Sequence, residues 1–140
     1  MSAATALYTR EVLALATSLA RWPYDDALPL QGSARAPTCG STVDLNIAID
    51  EAGRITQLGL RARACAIGQA ATAIFAENAP GMDAAQLEAA YTEIAQWLAE
   101  GNLPGWPGFA AIARAREYPA RHGAILLPWR AALVAMDQPR

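Results

Sequence analysis

The sequence predicts an α+β fold, in which a small antiparallel sheet of about three strands is covered on one face by helices. An N-terminal helix precedes the sheet, and the C-terminal half is helical. Two stretches of alternating apolar and polar side chains, residues 42–49 and 55–64, predict neighbouring strands. The residues after Cys65 instead have helical composition and spacing. With 140 residues, 54% of them apolar, the chain is long enough to form a single domain over residues 1–140.

The N-terminal helix is predicted over residues 3–21, where apolar side chains recur at near-helical spacing. It ends at Trp22, because the proline that follows disfavours the α conformation in the residue before it. Residues 25–37 are rich in proline, glycine and serine and predict a connection, within which residues 28–34 are the candidate third strand. This connection leads to Cys39, which is therefore predicted on a loop.

The two predicted strands form a hairpin. Four aliphatic residues share one face of the first strand: Val43, Leu45, Ile47 and Ile49. Residues 50–53 supply a turn that contains a glycine, and the second strand returns antiparallel with Arg61 and Arg63 on its polar face. Because an isolated hairpin is only marginally stable, helices must cover its apolar side.

Two helices are predicted after the hairpin. The first spans residues 66–79, and the second begins at a cap formed by Asp83 and continues through Leu98. Gly101 stands where a glycine commonly ends a helix. Residues 102–108 contain two prolines and two glycines and predict a loop.

The end of the chain is predicted as a short helix through Ile112, a break at Pro119 and a last helix near residues 128–136. Pro128 is tolerated there if it occupies the first turn. Three tryptophans are predicted to pack in the core or at its rim: Trp97, Trp106 and Trp129.

Charge and motifs exclude several classes of protein. The net charge of −2, with arginine as the only basic side chain besides one histidine, gives no electrostatic footprint for nucleic acid or an anionic membrane. No apolar stretch approaches the roughly 18 residues of a spanning helix. The apolar run at residues 12–20 lacks the positive segment of a signal peptide, so we predict a helix and a cytoplasmic location. Phosphate-binding, dinucleotide-binding and hydrolase motifs are absent, and we predict no enzyme.

The two cysteines, Cys39 and Cys65, are the residues most informative about chemistry. They could be small packed side chains, a disulfide or metal ligands, although a small secreted scaffold would normally carry more cysteines. If the second strand continues through Cys65, this residue shares a face with two arginines, and the following helix directs its positive end at the sulfur. Both features favour the thiolate, which is the form that binds metals and accepts sulfur.

His122 is the only histidine. It is either a solvated side chain before the last helix or a third ligand beside two thiolates, a set that suits zinc or iron.

Three stretches of the sequence carry a family resemblance. Residues 37–43 read Pro-Thr-Cys-Gly-Ser-Thr-Val, residues 63–73 begin Arg-Ala-Cys-Ala-Ile-Gly, and residues 121–133 have Leu-Pro-Trp at their centre. Together they resemble the IscU/NifU N-terminal family of iron–sulfur cluster assembly scaffold proteins. The long interval between the second and third stretches is similar to the SufU branch. The resemblance implies a scaffold that receives sulfur from a cysteine desulfurase and serves iron–sulfur client proteins.

The same resemblance indicates which ligands are missing. The family's metal-site aspartate falls on Ser41, and its third cysteine falls on Gly123 or Ala124, so neither position offers the family's ligand. Only Cys39 and Cys65 carry over as metal and cofactor ligands, with His122 next to the vacant position.

The ligands that carry over imply weak metal binding. Iron–sulfur clusters normally have four protein ligands, so Cys39 and Cys65 are expected to bind iron or a labile 2Fe–2S cluster. Zinc with His122 as a third ligand is chemically reasonable. Two alternatives remain: a non-catalytic interaction module that docks a desulfurase or a client, and a sulfur acceptor at Cys65.

Overall fold

The computed structural model describes residues 7–138, in which three strands form an antiparallel sheet. Helices make up most of the chain after the sheet, and the predicted α+β fold is confirmed. The elements follow in this order: α1 (Arg10–Ser18), a 3₁₀ turn (Leu19–Arg21), β1 (Leu30–Arg35), β2 (Thr42–Ile49), β3 (Ile55–Arg63), α2 (Ala66–Asn78), α3 (Ala84–Ala99), two 3₁₀ helices (Phe109–Glu117 and Pro119–Arg121) and α4 (His122–Met136). Within residues 7–138, no helix combines the length and the apolar character needed to cross a membrane.

The sheet has β2 in the middle, with β1 and β3 as its antiparallel neighbours. The candidate third strand is therefore confirmed as β1, and the alternating segment of β2 has the predicted bounds. Val43, Leu45 and Ile47 are completely buried on the face that α4 covers. The alternation in the sequence thus marks the core side of the sheet correctly.

Helix α4 lies directly on β1 at Gly32. A β-carbon at this position would overlap the carbonyl oxygen of Ala131 and stand 2.7 Å from the backbone nitrogen of Ala135. Glycine is therefore required for the close approach of helix and strand.

Residues 22–25 cover part of the other face of the sheet. Asn46, which lies on the polar side of β2, is fully buried there because its side-chain amide bonds the backbone N–H and carbonyl of Asp25. Gly59 on β3 leaves room for this contact, since a β-carbon would stand 2.7 Å from Asn46 Oδ1. The backbone N–H of Leu60 also donates to the carbonyl of Trp22 over 2.9 Å.

The last helix begins earlier than predicted. It starts at His122, and Pro128 lies inside it rather than in its first turn. An interior proline removes one backbone donor from the helix. Because nine of the helix residues are buried between the sheet and helices α2 and α3, packing outweighs that loss.

Most other helix predictions are confirmed. Asp83 and Gln86 form a reciprocal cap at the start of α3, and Gly101 follows its end with a φ of +98°. Trp97, Trp106 and Trp129 are all buried. The N-terminal helix is not continuous as predicted: Leu7 is helical, Tyr8 and Thr9 are not, and α1 begins at Arg10 after a cap by Thr9. The predicted start at residue 3 lies outside the described residues.

Candidate metal-binding edge

Cys39 lies at the tip of the loop that joins β1 to β2. The loop is closed by a bond from the N–H of Ala36 to the carbonyl of Ser41, at 2.9 Å, and by one from the N–H of Gly40 to the carbonyl of Ala36, at 2.8 Å. Gly40 has a φ of +72°, which a glycine adopts without strain. The result is a compact turn that leaves the Cys39 side chain exposed, as predicted for a loop residue.

Cys65 lies between β3 and α2. The strand ends at Arg63, one residue before the predicted end at residue 64, so the condition that it continues through Cys65 is not met. Cys65 is instead the residue that caps α2, and its backbone is extended. The predicted helix start immediately after it is confirmed, and the positive end of the helix dipole therefore faces this residue.

The two cysteines belong to one edge of the sheet. Cys39 precedes the start of β2 and Cys65 follows the end of β3, and these strand ends pair directly through Thr42 and Arg63. In an antiparallel pair, the start of one strand and the end of the next lie at the same edge. The topology alone thus brings both loops together.

The start of α4 contacts both cysteine-bearing segments. A β-carbon on Gly123 would lie 3.2 Å from the β-carbon of Ala36 and 3.7 Å from Thr38 Oγ1, next to the Cys39 loop. The β-carbon of Ala124 lies 3.2 Å from the place of a β-carbon on Gly68, in the first turn after Cys65. Residues 123 and 124 therefore stand against the two loops.

The surroundings of Cys39 favour its thiolate. Its sulfur is 3.1 Å from the hydroxyl of Ser41, and this hydrogen bond is the largest influence that lowers the pKa of the Cys39 thiol. The backbone N–H of Ser41 lowers the pKa further, burial opposes these two effects, and the positive charge of Arg121 lowers the pKa by less than burial raises it. Cys39 is consequently a better metal ligand and nucleophile than an ordinary exposed cysteine.

His122 directs its Nε2 atom at the backbone carbonyl of Arg116, at a distance of 2.7 Å. A carbonyl only accepts hydrogen bonds, so Nε2 is the donor in this contact, and Nδ1 is the ring nitrogen that remains for a metal. Among residues 7–138, no three histidine, cysteine or acidic side chains lie together in a way that could hold a metal ion. His122 as a third ligand therefore stays a prediction.

Comparison with known proteins places this geometry in a family. Residues 21–115 match the family described as the NifU-like N-terminal domain, and they make up more than half of the chain. The chain belongs to this family. The resemblance seen in the cysteine segments is thereby confirmed.

Solved structures share the fold of this NifU-like domain. The N-terminal part of a nitrogen-fixing NifU-like protein from Brucella abortus is 26% identical, with a TM-score of 0.84 over 93% of this chain and 92% of that one. A putative iron–sulfur cluster assembly scaffold protein for the SUF system from Fervidobacterium islandicum is 17% identical, with a TM-score of 0.78 over 94% and 98% of the chains. No curated protein matches the sequence.

At two positions where the resemblance places ligands, this NifU-like domain has other residues. Ser41 is almost fully buried and bonds the sulfur of Cys39, so a hydroxyl stands where the resemblance places a carboxylate. Gly123 and Ala124 offer no side-chain donor, and both lie beyond the residues of the family match. The edge therefore carries two cysteine thiols and little else that could serve as a metal ligand.

The sequence predicted only some of the arginines that lie beside the cysteine edge. The sequence placed Arg61 and Arg63 near Cys65, but it gave no sign that Arg35 and Arg121 lie at the same edge. The register of β1, which positions Arg35, depends on contacts with α4 and not on a local pattern.

Proposed function

We propose that this NifU-like domain is an iron–sulfur assembly scaffold that binds iron or a labile 2Fe–2S cluster, or zinc, through Cys39 and Cys65. The observation that carries the proposal is the convergence of the two cysteine loops at one edge of the sheet, next to residues 123 and 124. Family membership and the lowered pKa of Cys39 support it. A cluster with two protein thiolates lacks half of the usual four ligands, which suits transfer rather than storage.

The same proposal names partners. A scaffold of this kind takes sulfur from a cysteine desulfurase and passes the cluster to iron–sulfur client proteins. It acts as a support for assembly and not as a catalyst. A cytoplasmic location stays a prediction from the cysteine content.

Anaerobic reconstitution tests this function. Protein incubated with ferrous iron, cysteine and a desulfurase should gain visible sulfur-to-iron absorption, and Cys39→Ser and Cys65→Ser should each abolish it. Thr56→Ser, at the opposite end of the sheet, is the matched control and should keep the colour. A colourless, iron-free wild-type product would overturn the proposal.

Metal content distinguishes iron from zinc. Protein purified without oxygen should contain iron or zinc in an amount that falls in both cysteine variants. Zinc that survives in His122→Asn and not in Cys39→Ser would place the metal on the cysteines alone.

A second candidate is an interaction module that keeps the family surface but builds no cluster. Serine and glycine at two ligand positions favour it. In that case a desulfurase would bind the wild type and a variant without either cysteine equally well. Sulfur acceptance at Cys65 predicts instead a mass gain on that residue after incubation with a desulfurase and cysteine.

A further inference from the structure

We infer that the missing cluster ligands come from a small thiol that carries a carboxylate, and that Arg35 and Arg63 bind this carboxylate. The inference rests on the proposed function, because it names what completes the ligand set at the two-cysteine edge. Cysteine and glutathione are thiols of this class.

The two-cysteine edge has too few side chains that could act as metal ligands. Ser41 and Gly123 occupy the positions where further ligands would stand, and residues 7–138 contain no metal-holding group of three side chains. Iron in a cluster is rarely left with two protein thiolates only. An added thiol would release its proton to solvent as its sulfur replaces water on iron, with no change in oxidation state.

A row of residues crosses the cysteine end of the sheet on the face opposite α4. Arg35, Thr42 and Arg63 pair directly across the three strands, so their side chains lie on the same face. Both arginines are exposed, and their α-carbons are about 10 Å apart across two strand spacings. Arg63 is two residues from Cys65, and Arg35 precedes the loop of Cys39.

The guanidinium groups of Arg35 and Arg63 are free. Within residues 7–138, neither side chain makes an ion pair or a hydrogen bond. In the neighbouring row, by contrast, the charged side chains are paired. The carboxylate of Asp44 accepts a hydrogen bond from the hydroxyl of Ser33 and forms an ion pair with Arg61. The guanidinium group of Arg61 also stacks over the ring of Tyr24, at 4.3 Å. The face thus keeps two unmatched positive charges next to its metal-binding edge.

These charges favour a small anion over a second copy of the chain. Two copies joined at this edge by four cysteines would share a symmetric contact, which brings two arginine pairs into one interface. Like charges at such short range oppose association. A carboxylate matches the planar guanidinium group in charge and shape.

Reconstitution with two thiols tests the inference. Cluster assembled anaerobically from ferrous iron and sulfide should persist about two- to fivefold longer with glutathione than with cysteamine, which has no carboxylate. Arg35→Gln combined with Arg63→Gln should remove this difference. Arg54→Gln, an exposed arginine at the opposite end of the sheet, should preserve it.

Three outcomes would overturn the inference: equal lifetimes with both thiols, a glutathione advantage that survives in the double variant, or one cluster bound by two chains without added thiol. If no cluster forms under any condition, the proposed function fails first. The arginine site is then tested on metal-free protein with S-methylglutathione. Saturable NMR shifts of the backbone amides at positions 35 and 63 in the wild type, lost in the double variant, would support the site, and their absence in the wild type would refute it.

Discussion

At the scale of single residues, Cys39 and Ser41 determine the reactivity of the candidate site. The sequence predicted a thiolate-favouring environment at Cys65, from the helix that follows it. The structure shows a second thiolate-favouring environment, at Cys39. No spacing rule indicates this environment, because it depends on a serine hydroxyl two residues away and on Arg121 from another element.

Ser41→Ala should raise the pKa of the Cys39 thiol, since it removes the hydrogen bond that lowers this pKa most. The pH at which alkylation by iodoacetamide reaches half its maximal rate should then move upward. The measurement is made in a Cys65→Ser background, so that only Cys39 reacts. Ser33→Ala is the matched control, and an unchanged profile in Ser41→Ala would contradict the assignment.

Restoring the missing ligands should strengthen metal binding. A cysteine at position 123 fits with a small adjustment of Ala36, since its β-carbon would lie 3.2 Å from that methyl group. We expect Gly123→Cys with Ser41→Asp to raise zinc affinity by at least about tenfold, because losing even an outer-shell partner costs that much. The affinity is measured by competition with a chelator.

The control for this gain is Gly105→Cys with Ser41→Asp, which adds the thiol instead in an exposed loop between α3 and the 3₁₀ helix. Equal affinity in the two cysteine-adding proteins would show that residue 123 does not face the metal.

At the scale of elements, the fold was predictable where a pattern is local. Strand β2 and the turn after it follow from alternation and a glycine, and both bounds of β2 are as predicted. The start of α4 was predicted six residues late, because proline usually marks a first turn and here lies in a buried interior. Because the start of α4 was predicted too late, the sequence did not indicate that residues 123 and 124, which lie at the site, belong to the helix.

Gly32→Ala should destabilise the protein by about 2–3 kcal/mol, because its β-carbon would meet the backbone of α4 and separate that helix from β1. Urea denaturation measures the free energy of unfolding. Gln31→Ala, an exposed neighbour on the same strand, should change it little. A Gly32→Ala protein as stable as the wild type would disprove the close contact.

At the scale of the whole molecule, the charges are unevenly placed although the net charge is only −2. Arginines from β1, β3 and the segment before α4 lie around the cysteine edge, which composition alone does not reveal. Both cysteines share an edge because they flank an antiparallel pair of strands, and the sequence predicted that pair as a hairpin. It did not indicate where His122 points, since that depends on the 3₁₀ helix that supplies its carbonyl partner.

The most direct test asks whether both sulfurs bind one metal ion. Metal-free protein is titrated with Co²⁺ while thiolate-to-cobalt absorption in the near ultraviolet is recorded. We predict saturation at one ion per chain, with the intensity of two thiolates in the wild type and of one in each of Cys39→Ser and Cys65→Ser. An intensity that either substitution leaves unchanged would mean that the two cysteines do not act as a pair.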